Sequence, residues 1–338
     1  MNKVLKRNGK KTTIIGPLMA AILLGIILAL ASNKFLTHTN LMNILRQSAV
    51  NIIVGAGMLF VLLGAGIDLS QGSIVGFSMG MVTVLYNNNM NNAFLMIVLP
   101  IAVGVLCGLI NGLLFTKLKL PHPFVSTLGM MEVLRGLTFI VTGAHQVSGF
   151  PSAVTWLGSA NVLSIPVCFV IVVVLAVIIS IFLNKTAIGR EIYSVGGNKE
   201  AARLAGINID KTLTITYVMS GALCGLAAVI LVGRVGSTYP LAGVGYEMDA
   251  VAACVIGGAS FSGGKGTMAG TLIGAIIIAQ VKNGLNLLGA SADVQQVVVG
   301  VVVVLAVMVD VLRTRNAEKS RRMQQARSET ESVAKQSA

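Results

Sequence analysis

The chain has 338 residues, of which 55% are hydrophobic and only 11% charged, with a formal net charge of +13 and a mean hydropathy of +0.85. Ordinary soluble domains carry about 25% charged residues, so a soluble enzyme, a disordered chain and a nucleic-acid binder all fit badly. The expected class is an all-α polytopic membrane protein.

The 37 charged residues crowd into residues 1–11, 184–211 and 310–338, which hold 5, 8 and 11 of them. The gaps between these clusters are long enough for helices that cross lipid, each of which needs roughly 20 apolar residues. Basic clusters beside apolar spans mark the cytoplasmic side rather than a nucleic-acid surface. Cys107, Cys168, Cys224 and Cys254 lie singly in apolar stretches with no CxxC pair and no neighbouring His. They read as small buried residues, neither disulfides nor metal ligands.

A basic amino terminus, residues 1–11, precedes the uncharged run 12–33, the first expected crossing. Its apolar stretch exceeds the roughly 7–15 residues of a secretory leader, and further spans follow, which argues against cleavage after Ala29-Leu30-Ala31. Residues 47–67 form the second crossing, bounded by Arg46 and Asp68. The next 48 uncharged residues, 69–116, are split into a third and a fourth by the polar knot Asn87-Asn88-Asn89-Met90-Asn91-Asn92. Prolines 121 and 123 stop the chain there. Residues 124–142, 162–183 and 212–233 supply the fifth, sixth and seventh; 250–264 and 266–281, both read as short or broken, and 294–309 complete ten.

With the amino terminus cytoplasmic, the inside segments carry Lys117 and Lys119, then Lys185, Arg190, Lys199, Arg203 and Lys211, then Lys265, then seven basic residues from Arg313 to Lys335. The outside segments hold only Lys34, Arg46, Arg234 and Lys282. Parity and charge therefore agree on ten crossings with both termini inside. Residues 12–312 read as one transmembrane domain with a cytoplasmic loop at 184–211, and residues 313–338 as a disordered cytoplasmic tail. At 28 and 26 residues, loop and tail both fall below the roughly 40 that a domain needs without help. A weak likeness between the glycine-rich, acid-marked stretches near 64–80 and 247–270 points to an internal repeat, as transporters often have.

In Gly64-Ala65-Gly66-Ile67-Asp68-Leu69-Ser70-Gln71-Gly72-Ser73, Asp68 or Ser70 suits a helix cap. The stretch also suits a broken helix that holds a polar solute, which makes Asp68, Ser70 and Gln71 pathway candidates. Glu132 and Arg135, three residues apart inside the fifth span, share one face and pair with each other or line a polar route. Glu247 and Asp249 precede the eighth span on its outer side, as caps of that helix or contacts for a partner docking from outside. The run from Gly257 to Gly266 is not a phosphate loop: Ala259 stands five positions before Gly264, Gly266 follows Lys265, and no strand precedes it. His38, His122 and His145 are isolated, and no nucleophile–base or paired-carboxylate spacing supports an enzyme. Between the sixth and seventh spans, Gly196-Gly197-Asn198 leads into a short capped helix, 199–205, ended by Gly206. A helix that short needs something to dock against.

Glu200-Ala201-Ala202-Arg203-Leu204-Ala205-Gly206 matches the EAA-x-x-x-G core of permeases from ATP-binding-cassette importers. The chain resembles, along nearly its whole length, the ribose-type sugar permeases of that superfamily. The match rests on that core together with Gly66-Ile67-Asp68-Leu69-Ser70, Pro123-Phe124-Val125-Ser126-Thr127-Leu128-Gly129, Gly189-Arg190, Gly245-Tyr246-Glu247-Met248-Asp249-Ala250, and Gly257-Gly258 with Gly263-Gly264-Lys265-Gly266. At Ser70-Gln71-Gly72 the family commonly shows Val in place of Gln71.

The resemblance implies a type II importer-like bundle in a bacterial inner membrane, working as a homodimer. It also implies a cytoplasmic ATPase that uses the ATP, an external sugar-binding protein, and no cofactor or metal on this chain. Gly197, Asn198, Glu200, Ala201, Ala202, Arg203 and Gly206 then form the contact that couples to the ATPase. The alternatives are a self-sufficient ion-coupled carrier, with Glu132 and Arg135 in the relay, or the same importer carrying a nucleoside, an amino acid or a signalling furanose. One Trp and five Tyr offer little stacking surface, which places selectivity mainly with the external protein.

Overall fold

Residues 2–312 are described by the computed structural model, and they are helical almost throughout. The tail 313–338 lies outside the described residues. In chain order the helices are α1 (Asn2–Ala31), α2 (His38–Leu63), α3 (Gln71–Asn87), α4 (Ala93–Thr116), α5 (Pro123–Thr142), α6 (Ser152–Ser159) and α7 (Val167–Lys185). They continue with α8 (Ala187–Gly197), α9 (Lys199–Leu204), α10 (Ile209–Val235), α11 (Tyr246–Ile256), α12 (Met268–Leu287) and α13 (Ala292–Leu312). Two-residue strands pair Val147–Ser148 with Ser237–Thr238 and Asn161–Val162 with Ile165–Pro166.

Local chemistry sets many of the boundaries. In the asparagine knot, Asn88 closes α3, Asn89 takes a left-handed φ of 57°, and the Asn92 side chain accepts from Phe94 N at 2.9 Å and Leu95 N at 3.3 Å to open α4. Pro123 starts α5 behind His122, whose Nδ1 accepts from Phe124 N at 3.2 Å. Gly143 and Gly236, with φ of 59° and 70°, end α5 and α10.

α2 and α10 stand at the centre, with the long runs of fully buried residues 48–63 and 227–233. α1, α4, α5, α7 and α13 surround them and turn exposed apolar side chains such as Leu30, Phe94, Ile140, Ile178 and Val304 outward, as helices facing lipid do. α4 and α10 touch backbone to backbone. A Cβ on Gly104 would overlap Gly221 O, one on Gly108 would overlap Tyr217 O, and one on Gly225 would overlap Pro100 O. Small residues at four-residue spacing replace the hydrophobic driving force that lipid removes.

Each expected crossing overlaps a helix, the eighth only as far as Ile256, and among the described residues eight helices are long and apolar enough to cross a membrane. The two that fall short are α3, with 17 residues, and α11, with 11 or about 16 Å of rise. The expectation of a short ninth span is corrected: α12 runs a full 20 residues. It looked short because of Lys282, which lies inside the helix and pairs with Asp249. Arg46 likewise sits inside α2 rather than bounding it, held by Asn161 Oδ1 at 2.8 Å and Asn43 Oδ1 at 3.3 Å. α6 and α8 had no counterpart in the expected elements.

The two interrupted crossings lie side by side. After α10 the chain runs back along α3 as an irregular segment: Thr238 meets Thr83, and Ala242 O and Gly243 O crowd Gly76 and Gly72. α11 then starts inside the bundle and a glycine-rich loop, 257–267, completes the passage to α12.

Candidate functional site

The predicted site residues fall into three places. At one end, α8 and α9 form a small platform. Thr186 opens α8 by accepting from Gly189 N at 3.0 Å, and Asn198 opens α9 by accepting from Ala201 N at 3.0 Å. Gly206, at φ 80°, closes α9, with Ile207 N–H donating to Ala202 O. Ala202 packs into a small core with Val195 and Leu213. Gly197, Asn198, Glu200, Ala201, Arg203 and Gly206 are all exposed, as is Leu204 at 89%. The 3.2 Å Arg203–Glu200 pair is exposed on both sides and contributes little stability. Together they make a small, solvent-facing knob with an apolar tip.

The second place is a dry polar network inside the bundle, where Asp68, Ser70, Gln71, Asn111 and Ser220 are all 0% exposed. Asp68 Oδ1 accepts from Ser70 N at 3.0 Å and Ser70 Oγ at 2.6 Å, and Ser220 Oγ donates to Asp68 Oδ2 at 2.8 Å. Asn111 Nδ2 donates to Ser70 Oγ, and Gln71 Nε2 to Ser220 Oγ, each at 2.8 Å. The network ties the start of α3 to α4 and α10. Ser220 lies eleven residues, about 16 Å, into α10. Asp68 therefore folds the turn before α3, without bonding to its first-turn amides. Within one subunit, Asp68, Ser70 and Gln71 form a buried, hydrogen-bonded joint between α3, α4 and α10. Gln71 Oε1, Asn111 Oδ1 and Ser73 Oγ have no hydrogen-bond partner, so the joint keeps spare acceptors.

The third place lies where α3 and α11 meet. Glu247, in the first turn of α11, presses its carboxylate against Gly72, where any Cβ would overlap Glu247 Oε2 and Gly243 O. Glu247 Oε2 is buried there without a hydrogen-bond partner. Asp249 is 2% exposed and paired with Lys282 of α12. Glu247 and Asp249 are thus buried in the bundle, which corrects their placement at an outer surface; the chain dips inward before α11 begins. Glu132 and Arg135 share α5 but form no ion pair: Arg135 Nη1 donates inward to Ala242 O at 3.3 Å, and the Glu132 side chain is exposed.

Ser220 and Asn111 escaped the sequence reading, although each is a polar residue in an otherwise apolar run, the available signal. Also missed was a polar cavity of about 510 Å³ at the end of the bundle opposite α9, lined by Asn40, Asn43, Arg46, Gln47, Ser159 and Arg234 among others. Asn40 and Asn283 exchange amide hydrogen bonds at its wall, at 2.8 and 3.0 Å.

Comparison with known proteins agrees with this architecture. The chain is 41% identical over 298 residues to the ribose import permease protein RbsC of Bacillus subtilis (strain 168), covering 88% of this chain and 92% of that protein. It is 38% identical over 291 residues to the D-allose transport system permease protein AlsC of Escherichia coli (strain K12), covering 86% and 89%. To the fructose import permease protein FrcC of Rhizobium meliloti it is 36% identical over 303 residues, covering 86% and 82%. No solved structure matches the chain. Residues 40–307, from the start of α2 to within α13, match the family described as branched-chain amino acid transport system / permease component. With its interrupted crossings, its exposed knob and that match over most of its length, the chain belongs to this family of multi-pass membrane permeases.

Proposed function

We propose that this chain is the membrane-spanning subunit of an ATP-binding-cassette importer and moves a monosaccharide, a ribose-like pentose or a hexose, across a bacterial inner membrane. The observation that carries the proposal is α9: a six-residue helix, capped at both ends and packed through Ala202, that presents Glu200, Arg203 and Leu204 to solvent. Six isolated residues do not hold a helix in water, and a separate ATPase is the natural occupant of that face. The named relatives carry ribose, D-allose and fructose, which supports a monosaccharide as cargo.

On this reading the α9 end and both termini are cytoplasmic, ATP is used by the partner, and this chain holds no cofactor. The external sugar-binding protein docks at the opposite end, around Arg46 and Arg234, because Glu247 and Asp249 are buried. A second copy of the chain covers α5, where Glu132, about 13 Å from the helix start, would otherwise face lipid at a cost of about 2.5–3.5 kcal/mol. Solute passes by alternating access as α9 moves with the ATPase. Proteoliposomes containing the permease, the ATPase and the binding protein should take up labelled ribose or a related sugar only with ATP inside. Uptake that persists with the ATPase omitted overturns the proposal in favour of a self-sufficient carrier.

A further inference from the structure

Four segments meet backbone against backbone at the α9 end of the bundle. α2 finishes there at Leu63, whose carbonyl accepts a 3.0 Å hydrogen bond from the N–H of Gly264 in the 257–267 loop. Gly196, in the last turn of α8, is seated on the same pair: a Cβ at this position would overlap Leu63 O and lie 2.7 Å from Gly264 N. A Cβ on Gly263 would fall 2.6 Å from Gly196 O and 2.6 Å from the Cβ of Ala65, and one on Gly264 would fall 2.8 Å from the Cα of Gly197. Tyr193, one turn back on α8, donates its hydroxyl to Gly266 O at 2.8 Å.

The end of α8 therefore touches Leu63, the last residue before the loop that leads into α3, and the loop that leads out of α11, which in turn meets Ala65 through Gly263. α9 follows α8 with Asn198 alone between them. Side chains between two elements can absorb a small displacement by changing rotamer, but main chain in contact with main chain cannot. Close-packed backbone passes a shift on to its neighbour. The contacts between the two interrupted crossings also favour motion as a unit, because Glu247 of α11 and Gly243 of the segment before it are pressed against Gly72 of α3.

We propose that Gly196 and Tyr193 are positioning residues that carry a displacement of α9 into both interrupted crossings at once, so that residues 64–70 and 257–267 shift together when the ATPase binds ATP. The inference rests on the importer reading above. It assigns the transmission to contacts that lie outside the exposed face of α9, so ATPase docking and transmission are separable.

The test uses the assembled permease–ATPase complex in proteoliposomes with a reporter thiol, Ser262→Cys, in the exposed part of the 257–267 loop. All four native cysteines are buried, so a membrane-impermeant maleimide reports on the introduced thiol. In the unsubstituted background, labelling with a non-hydrolysable ATP analogue should differ at least threefold from the nucleotide-free rate. Gly196→Ala should abolish that difference and Tyr193→Phe should reduce it by half or more, with uptake falling in parallel and the ATPase still co-purifying. Tyr193→Phe removes a single hydroxyl and decides the matter alone if Gly196→Ala does not insert. Full nucleotide response and uptake in Tyr193→Phe, or loss of the ATPase from it, overturns the inference and leaves the importer reading standing. An unsubstituted permease that retains no ATPase overturns both.

Discussion

Replacing Ser220 by Ala probes the buried joint most directly, because one hydroxyl serves two partners. It accepts from Gln71 Nε2 and donates to Asp68 Oδ2, each at 2.8 Å, with all three residues fully buried. Interhelical hydrogen bonds in membrane bundles average about 0.6 kcal/mol and reach about 1.7, since partners also exist in the unfolded membrane-inserted state. The loss here exceeds two average bonds, because an amide and a carboxylate oxygen are left unpaired where no water reaches them, and each orphaned group costs about 1–3 kcal/mol. Ser220→Ala should therefore destabilise the permease by about 2–4 kcal/mol. Gln71→Leu alone should cost less, about 1 kcal/mol, as it removes one donor together with an acceptor that has no partner. In the double variant the orphaned amide is gone, so the two effects should fall short of additivity by about 0.5–1.5 kcal/mol. Unfolding of the purified protein by SDS titration in mixed micelles, followed by circular dichroism, measures all three. A Ser220→Ala effect under about 0.5 kcal/mol that adds cleanly to Gln71→Leu refutes the view of the network as a coupled, desolvated joint.

Three further outcomes follow from the geometry. Asp249→Ala, which leaves Lys282 without its buried partner, should destabilise by about 3–5 kcal/mol, and Asp249→Asn with Lys282→Gln should recover most of that loss in the same titration. Gly221→Val, forced against Gly104 O, should leave less than a tenth of the normal membrane yield, whereas Gly300→Ala, with open space around it, should be neutral or slightly stabilising by up to about 1 kcal/mol. Asn198→Ala removes the α9 cap, worth about 0.5–2 kcal/mol locally. It should weaken ATPase binding several-fold in a titration while leaving the SDS midpoint of the bundle unchanged.

Much of the bundle was legible because lipid imposes a crude code: long uncharged runs separated by charges or prolines. The code failed where a charge is satisfied inside a helix. Arg46, bonded to Asn161 and Asn43, and Lys282, paired with Asp249, each looked like a boundary and truncated the reading of α2 and α12. The inward excursion of residues 239–245 has no periodicity to betray it, so Glu247 and Asp249 were read as surface groups ahead of a helix when they begin a helix already inside the protein. α9 was visible through its cap, its Ala pair and its closing glycine, all local signals. The distant partners of Asp68 and Ser70 were not, because Ser220 stands 152 positions from Asp68 and Asn111 stands 41 from Ser70, and only the packed fold brings them to one point.

The glycine seam between α4 and α10 has a consequence for how any passage opens. Its contacts repeat every four residues, and the neighbours of Gly104 and Gly108 along α4 are Val105, Leu106, Cys107 and Leu109. Sliding by a single residue would drive one of these side chains into the facing main chain, and a slip by a full turn, about 5.4 Å, would leave Gly112 and Pro100 out of register with α10. The seam therefore acts as a weld. α4 and α10 turn as one beam, and every change of shape between the two faces of the membrane has to be taken up by the elements that hang from it, α3 and α11.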